Sequence, residues 1–502
     1  MPVYKPPGVY REETRSLPRS LIPQPTAVPA FVGHTRKAEN RGASLRNKPW
    51  RISSLDEFER YFGTAPTSRF SIDDQPPEVG EAAVFSQDGK NYWISQLPGK
   101  SGGRYLLYYS MRLFFLNGGG ACYVVSTGGY DSEISDEGLA QGLDSLSEEH
   151  EPTLLVIPEA VLLDGPACTA LQQACLMQCN NMQSRFAILD VPQGHRPQQH
   201  PEGDCITDFR TAIGSHFLRY GAAYYPWLNT FQVAGSDVGV ENIADRKRLR
   251  ELLQREQQIT GDAEATKRVN QLMDRLDEAD ALFGKRQLNT ECAALSPLFS
   301  ALLAACRSKL SLLLPAAAIA GIYTAVDNAQ GVWKAPANVS LNAVASPAVA
   351  IANQQQDDLN APPHGKAINA IRAFPGRGIL VWGARTLAGN DNEWRYINVR
   401  RTLIMVEQTL KATCREFAFA ANDADTWANL KNTAENFLAG LWRQGALAGT
   451  TQKQAFAVNI GLGSSMTSVD IANGTLRLVV MVAPLRPAEF MVIAVEQQLH
   501  TG

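Results

Sequence analysis

Three cysteines, Cys168, Cys175 and Cys179, fall near one face of a helical stretch at 165–180. His195, His200 and Cys205 follow in a loop rich in proline, glutamine and glycine. Thiols and imidazoles hold zinc when their spacing builds a tetrahedral ligand set. Here no CxxC pair and no standard zinc spacing appears, so the helical cysteines read as small buried apolar residues. Nucleophilic chemistry fares no better. Ser215 and His216 are adjacent, and adjacent residues of a helix do not face each other. The chain has no GxSxG turn and no GxxxxGK(S/T) phosphate cradle. Gly376-Arg377-Gly378, beside Pro375, reads as a tight turn, and Gly118-Gly119-Gly120 as a helix stop. The basic run Asp245-Arg246-Lys247-Arg248-Leu249-Arg250 is followed by Glu251, Glu256, Asp262 and Glu264. Mixed charge of that kind reads as a solvated helix face. The expectation is a protein with no catalytic centre, no cofactor and no metal.

The elements that would carry these residues divide the chain into several parts. At 502 residues it is long enough for two to four domains. Its net charge of −3 gives no electrostatic case for direct nucleic-acid binding and leaves repulsion between copies weak. The apolar stretch Leu312 to Val326 is broken by Pro315 and is too short to span a bilayer, so no membrane insertion is expected. The opening residues Met1 to Gly8 lack the apolar segment of a secretory signal, which predicts folding in the cytosol with reduced thiols.

Residues 1–28 are proline-rich and predict an extended arm, with a strand around Val9, Tyr10 and Glu12. Residues 29–130 read as α+β. They hold a strand at Ala30–Gly33, a helix start capped by Ser54, a helix over Tyr105–Leu116 and a buried strand at Cys122–Ser126. Strands at Thr153–Ile157, Arg185–Val191 and Ala222–Tyr225 alternate with helices near 165–180 and 204–218, which predicts a parallel α/β layer. Over 240–284, Val269, Leu272, Leu276, Ala279 and Phe283 recur at intervals of three and four, predicting a charged helical hairpin. After Pro315 comes a second α+β unit. It has a strand at Gly378–Gly383, helices over Thr402–Ala420 and Thr426–Gln444, and strands at Leu476–Ala483 and Glu489–Glu496.

The segment Ile368 to Arg401, INAIRAFPGRGILVWGARTLAGNDNEWRYINVRR, resembles the signature of contractile tail sheath proteins. These are the sleeve subunits of contractile phage tails and extracellular contractile injection systems. Further fragments match in order: Pro6-Pro7-Gly8-Val9-Tyr10 with Glu12, Pro29–Gly33, Asn117–Val125, Ala320–Tyr323, Gly331–Asn338, Glu435–Leu447, and Arg486–Phe490. There are two departures. Leu314-Pro315-Ala316-Ala317-Ala318 stands where many relatives carry Pro-Pro-Ser-Gly, and the 240–284 hairpin looks added.

The resemblance implies an inner α+β core with extended N- and C-terminal arms, and an inserted outer α/β domain carrying the helical hairpin. The expected divisions are an arm at 1–28, the first part of the core at 29–120, the outer domain at 121–314, the inner domain at 315–484 and a second arm at 485–502. The implied function is structural. Hexameric rings stack helically around an inner tube and contract to drive it into a target, or the chain is a sheath-like baseplate, cap or adaptor subunit. The implied partners are further copies of the chain, the inner tube protein, and baseplate and terminal cap proteins. Assembly is expected in the bacterial cytoplasm, in a particle that is released or anchored. Val9, Tyr10 and Glu12 in one arm, and Phe490, Val492 and Ala494 in the other, are the expected inter-subunit strands. Lys431, Glu435 and Arg443 are the expected tube-facing residues. They share a helix with Trp427, Leu430, Phe437, Leu438 and Leu441, which read as core.

Overall fold

A computed structural model describes residues 21, 23–260, 263–278 and 282–489. Both arm strands therefore lie outside the described residues. The chain divides into two compact units. One comprises Met405–Leu485 with the described residues up to Gln24, and the other Pro25–Ile404 with the described residues after Leu485.

The larger unit is built on one nine-stranded sheet. Its strands in chain order are β1 (Pro29–His34), β2 (Trp50–Ile52), β3 (Cys122–Gly128), β4 (Leu154–Val156), β5 (Phe186–Asp190), β6 (Gly221–Tyr225), β7 (Val339–Ser340), β8 (Ile368–Phe374) and β9 (Gly378–Trp382). In space they run β7-β9-β8-β6-β5-β4-β1-β3-β2. The six from β8 to β3 are parallel, and antiparallel strands close both edges. Every residue of β1 is buried, as befits a parallel strand covered on both faces. Alternation along the strands feeds two cores. Phe31, Val124, Ile188 and Tyr224 face one, and Ala30, Val125, Leu189 and Ala223 face the other.

Helices cover both faces. On the first lie α1 (Leu107–Leu116) and, much later in the chain, the helix Ala316–Gln330; on the second lie α2 (Asp136–Asp144) and α3 (Gly165–Met182). The three cysteines Cys168, Cys175 and Cys179 are buried along α3 in the second core. The helix Ala316–Gln330 crosses α1 closely. A Cβ on Gly321 would lie 2.5 Å from the Phe114 carbonyl oxygen, so only glycine fits there.

The expected hairpin is half of a larger insertion. Helices α4 (Arg246–Thr260) and α5 (Ala263–Glu278) continue into α6 (Leu282–Leu295) and α7 (Pro297–Ser311). Leu249, Leu253, Met273, Leu276, Cys292 and Leu302 are buried, so the added pair belongs to the same core cluster as the first. Ser296 caps α7 by accepting from the Phe299 N–H at 3.0 Å. The helix Ala316–Gln330, here α8, follows after a short strand. Its broken apolar stretch is thus a buried helix start.

The signature segment folds as a hairpin and a helix. β8 turns into β9 through Gly376 and Gly378, both at positive φ, with the Arg377 N–H donating to the Phe374 carbonyl. A loop then leads into α9 (Ile397–Glu416).

The smaller unit contains the C-terminal part of α9, the helix α10 (Ala424–Arg443) and a two-stranded antiparallel sheet of β10 (Phe456–Asn459) and β11 (Val479–Val482). Asp423 caps α10 by accepting from the Thr426 N–H at 2.9 Å. Helix α10 buries Leu430, Phe437, Leu438 and Leu441.

Candidate functional site

In the smaller unit α10 presents two faces. Its apolar stripe packs inward, as expected of Leu430, Phe437, Leu438 and Leu441. Lys431 and Glu435 lie on the other side, half exposed and 3.9 Å apart one helical turn from each other. Arg443 is exposed in the last turn, where a cation complements the helix dipole. All three expected contact residues are therefore accessible on one helix.

The sheet β10–β11 has Phe456 opposite Val482 and Asn459 opposite Val479. The Ala483 N–H donates to the Ala455 carbonyl at 2.8 Å. Antiparallel pairs alternate between bonded and unbonded positions, so Val480 and Val482 aim their backbone groups at the outer edge of β11. Among the described residues no third strand pairs with either edge. Met481, 54% exposed, and Val479, 38% exposed, leave one face apolar.

The larger unit holds the roots of the two termini. Glu489 is gripped by Arg385, whose Nε and Nη2 donate at 2.7 and 2.6 Å. The Tyr396 hydroxyl donates at 3.0 Å and the Asn360 amide at 2.6 Å. Burial pushes the Glu489 carboxyl up, but the bonds from Arg385, Asn360 and Tyr396 outweigh it and hold it below the usual range. At the other root, the Thr26 hydroxyl donates to Asp327 at 2.6 Å. Arg401 binds that carboxylate at 2.5 Å and the Thr26 carbonyl at 3.0 Å. The side chains of Arg401 and Asp327 are each only 3% exposed, and the guanidinium stacks over Tyr323. Sequence reading missed this pairing of signature arginines with distant carboxylates. Its one trace is the two arginines, Arg400 and Arg401, set inside an otherwise apolar helix start.

The remaining polar candidates have structural partners. His195 pairs with Glu78 at 3.1 Å, and hydrogen bonding to His195 leads the causes that lower the Glu78 carboxyl to about 2. The Cys205 thiol meets the Arg196 carbonyl at 3.7 Å. Among the described residues no cluster of metal-binding side chains exists, and no helix is long and apolar enough to cross a membrane.

Residues 389–498 match the family described as phage tail sheath C-terminal domain. The whole chain is also similar to an anti-feeding prophage (AFP) helical sheath protein solved in the contracted state by cryo-EM. That match has 27% identity and a TM-score of 0.61, over 99% of this chain and 100% of the other. By its C-terminal segment and by its fold, the chain is similar to contractile tail sheath proteins. Two further likenesses agree. A protein of the AFP baseplate in contracted state matches at 25% identity and TM-score 0.64, over 99% and 100% of the two chains. A protein of the PVC sheath complex of an extracellular contractile injection system, also contracted, matches at 25% and 0.59, over 99% of each. No curated protein matches the chain. The mixed α/β fold expected from the sequence is thus the sheath fold, and the departure at Leu314–Ala318 leaves it intact.

Proposed function

We propose that this chain is a structural subunit that polymerises as helically stacked hexameric rings around an inner tube. Contraction of the stack drives the tube into a target. The observation that carries this reading is the unfinished sheet β10–β11. A two-stranded sheet is marginal alone, and an open edge with an apolar face invites another strand. Residues around Val9–Glu12 of one copy and Phe490–Ala494 of another would complete it. Each added strand satisfies backbone groups on an otherwise open edge, so copies stay connected while they reorient.

In this reading the Lys431, Glu435 and Arg443 side of α10 meets the tube through polar contacts, which are weak and release readily. Baseplate and cap proteins hold the ends of a stack assembled in the bacterial cytoplasm, and no catalytic step is assigned. The likeness to AFP baseplate chains favours a second reading, a sheath-like baseplate, cap or adaptor subunit.

Electron microscopy of the purified protein separates the two. Long tubes or stacked rings are expected of a major sheath subunit, and single rings that form only with baseplate proteins would favour the second reading. Deleting residues 1–15 should leave folded, soluble monomer that forms no tubes. Normal polymerisation after that deletion would rule out arm exchange.

A further inference from the structure

The signature segment spends two of its three buried arginines, Arg385 and Arg401, on carboxylates at the roots of the two termini. From this we infer that Arg385–Glu489 and Arg401–Asp327–Thr26 are positioning clamps that fasten the roots of the exchanged arms to the body of the subunit. The inference rests on the arm-exchange reading and adds the residues that make exchange efficient and able to bear load.

The geometry is specific at each root. Arg385 offers two donors to Glu489 in the fork arrangement that suits a carboxylate. Its own backbone is held in turn by Asn369 of β8, which accepts from the Arg385 N–H at 2.8 Å and donates to its carbonyl at 2.8 Å. A pull on the C-terminal arm therefore passes through Glu489 and Arg385 into the parallel sheet. At the other root, Thr26 stands three residues before β1. Its hydroxyl and carbonyl are both bonded, by Asp327 of α8 and Arg401 of α9. Tyr323, under the guanidinium, bonds Tyr224 of β6 at 2.7 Å. A pull on the N-terminal arm is thus delivered to two helices and the same sheet.

The clamps also set the tether. A strand donated to a neighbour is captured according to its effective concentration, which falls as the loose segment between anchor and strand lengthens. With Glu489 fixed, the donated segment starts at residue 490. With Glu489 free, the tether lengthens back to Arg486, since Pro484 and Leu485 are held by backbone bonds to the Ala446–Ala448 segment.

Four variants of the full chain test this: Glu489→Ala, Glu489→Asp, Thr26→Val and a deletion of 490–502. The readouts are the critical concentration for tube formation, the monomer's thermal melting, and amide hydrogen exchange of the arms within tubes. Glu489→Ala is expected to raise the critical concentration by about tenfold and Thr26→Val by a smaller factor, because it lengthens an already long tether, in both cases by more than any fall in monomer melting explains and with arm exchange in tubes faster. Glu489→Asp, which keeps the carboxylate, should recover part of the loss. If the deletion abolishes tubes while Glu489→Ala and Thr26→Val assemble like the unmodified chain, the clamps are wrong and arm exchange stands. If the deletion assembles normally, arm exchange itself fails and the clamps fall with it.

Discussion

At the residue scale the most informative side chain outside the arm roots is Asp190, the last residue of β5. It is 5% exposed, and its Oδ1 accepts from the Ala316 N–H at 2.8 Å, where it caps the start of α8. Burial pushes its carboxyl up to about 7, and the bond from Ala316 only partly offsets this. The folded state therefore keeps a proton that the unfolded chain releases near pH 4. Stability from this group is full below about pH 4 and is lost as pH rises through about 7, by roughly 4 kcal/mol at most. Asp190→Asn keeps an acceptor for Ala316 without the charge. Its midpoint in urea, relative to the unmodified chain, should rise between pH 5 and pH 8; a constant difference across that range would refute the assignment. None of this was legible in the sequence, since Asp190 sits in an apolar strand and its partner lies far along the chain. The arginines at the arm roots were hidden for the same reason. Carboxylate and guanidinium types are visible in a sequence, but burial and pairing are set by tertiary contacts. The cysteines of α3 were legible, because a small apolar thiol repeated on one helix face belongs in a core whatever the partners are.

At the element scale, periodicity exposed most of the fold. The strands at Ala30, Cys122, Thr153, Arg185, Ala222 and Gly378 carry apolar runs bounded by turn residues, and each forms a strand within a residue or two of its expected limits. The helical insertion was read short. The segment after Phe283 lacks a clean charged face, and α6 and α7 bury Leu288, Cys292, Leu298 and Phe299 against their neighbours. Helices covered on more than one side lose the amphipathic pattern that marked α5. The way the strands share one sheet was also hidden, because β6 pairs with β8 across more than 140 intervening residues of sequence. The sheet β10–β11 supports a sharper test. Val480 sits opposite Val458 at an unbonded position, so its N–H points to the outer edge of β11. Val480→Pro removes that one donor while keeping the bonds to β10. Monomer circular dichroism should change little and tube formation should be lost. Tubes formed as readily as by the unmodified chain would show that the outer edge of β11 receives no strand.

At the scale of the whole molecule, the proposed contraction shares its energy among many copies. In the proposed contraction, the work comes from surface buried when subunits rearrange. About 100–200 Å² of apolar surface newly buried per copy is worth about 2.5–5 kcal/mol at about 25 cal/mol per Å². Along the proposed stack of rings it would sum into a large mechanical output. Contracted tubes should then resist guanidinium better than extended ones by that amount per subunit, and the gap should widen in sulfate, which strengthens burial. If charge pairing drove contraction instead, added salt would shrink the gap through screening. Unfolding extended and contracted preparations side by side, at low and high sulfate, decides between the two. A gap that closes with sulfate would sink the apolar account, and a gap that opens would place the driving force in surfaces that meet only after contraction.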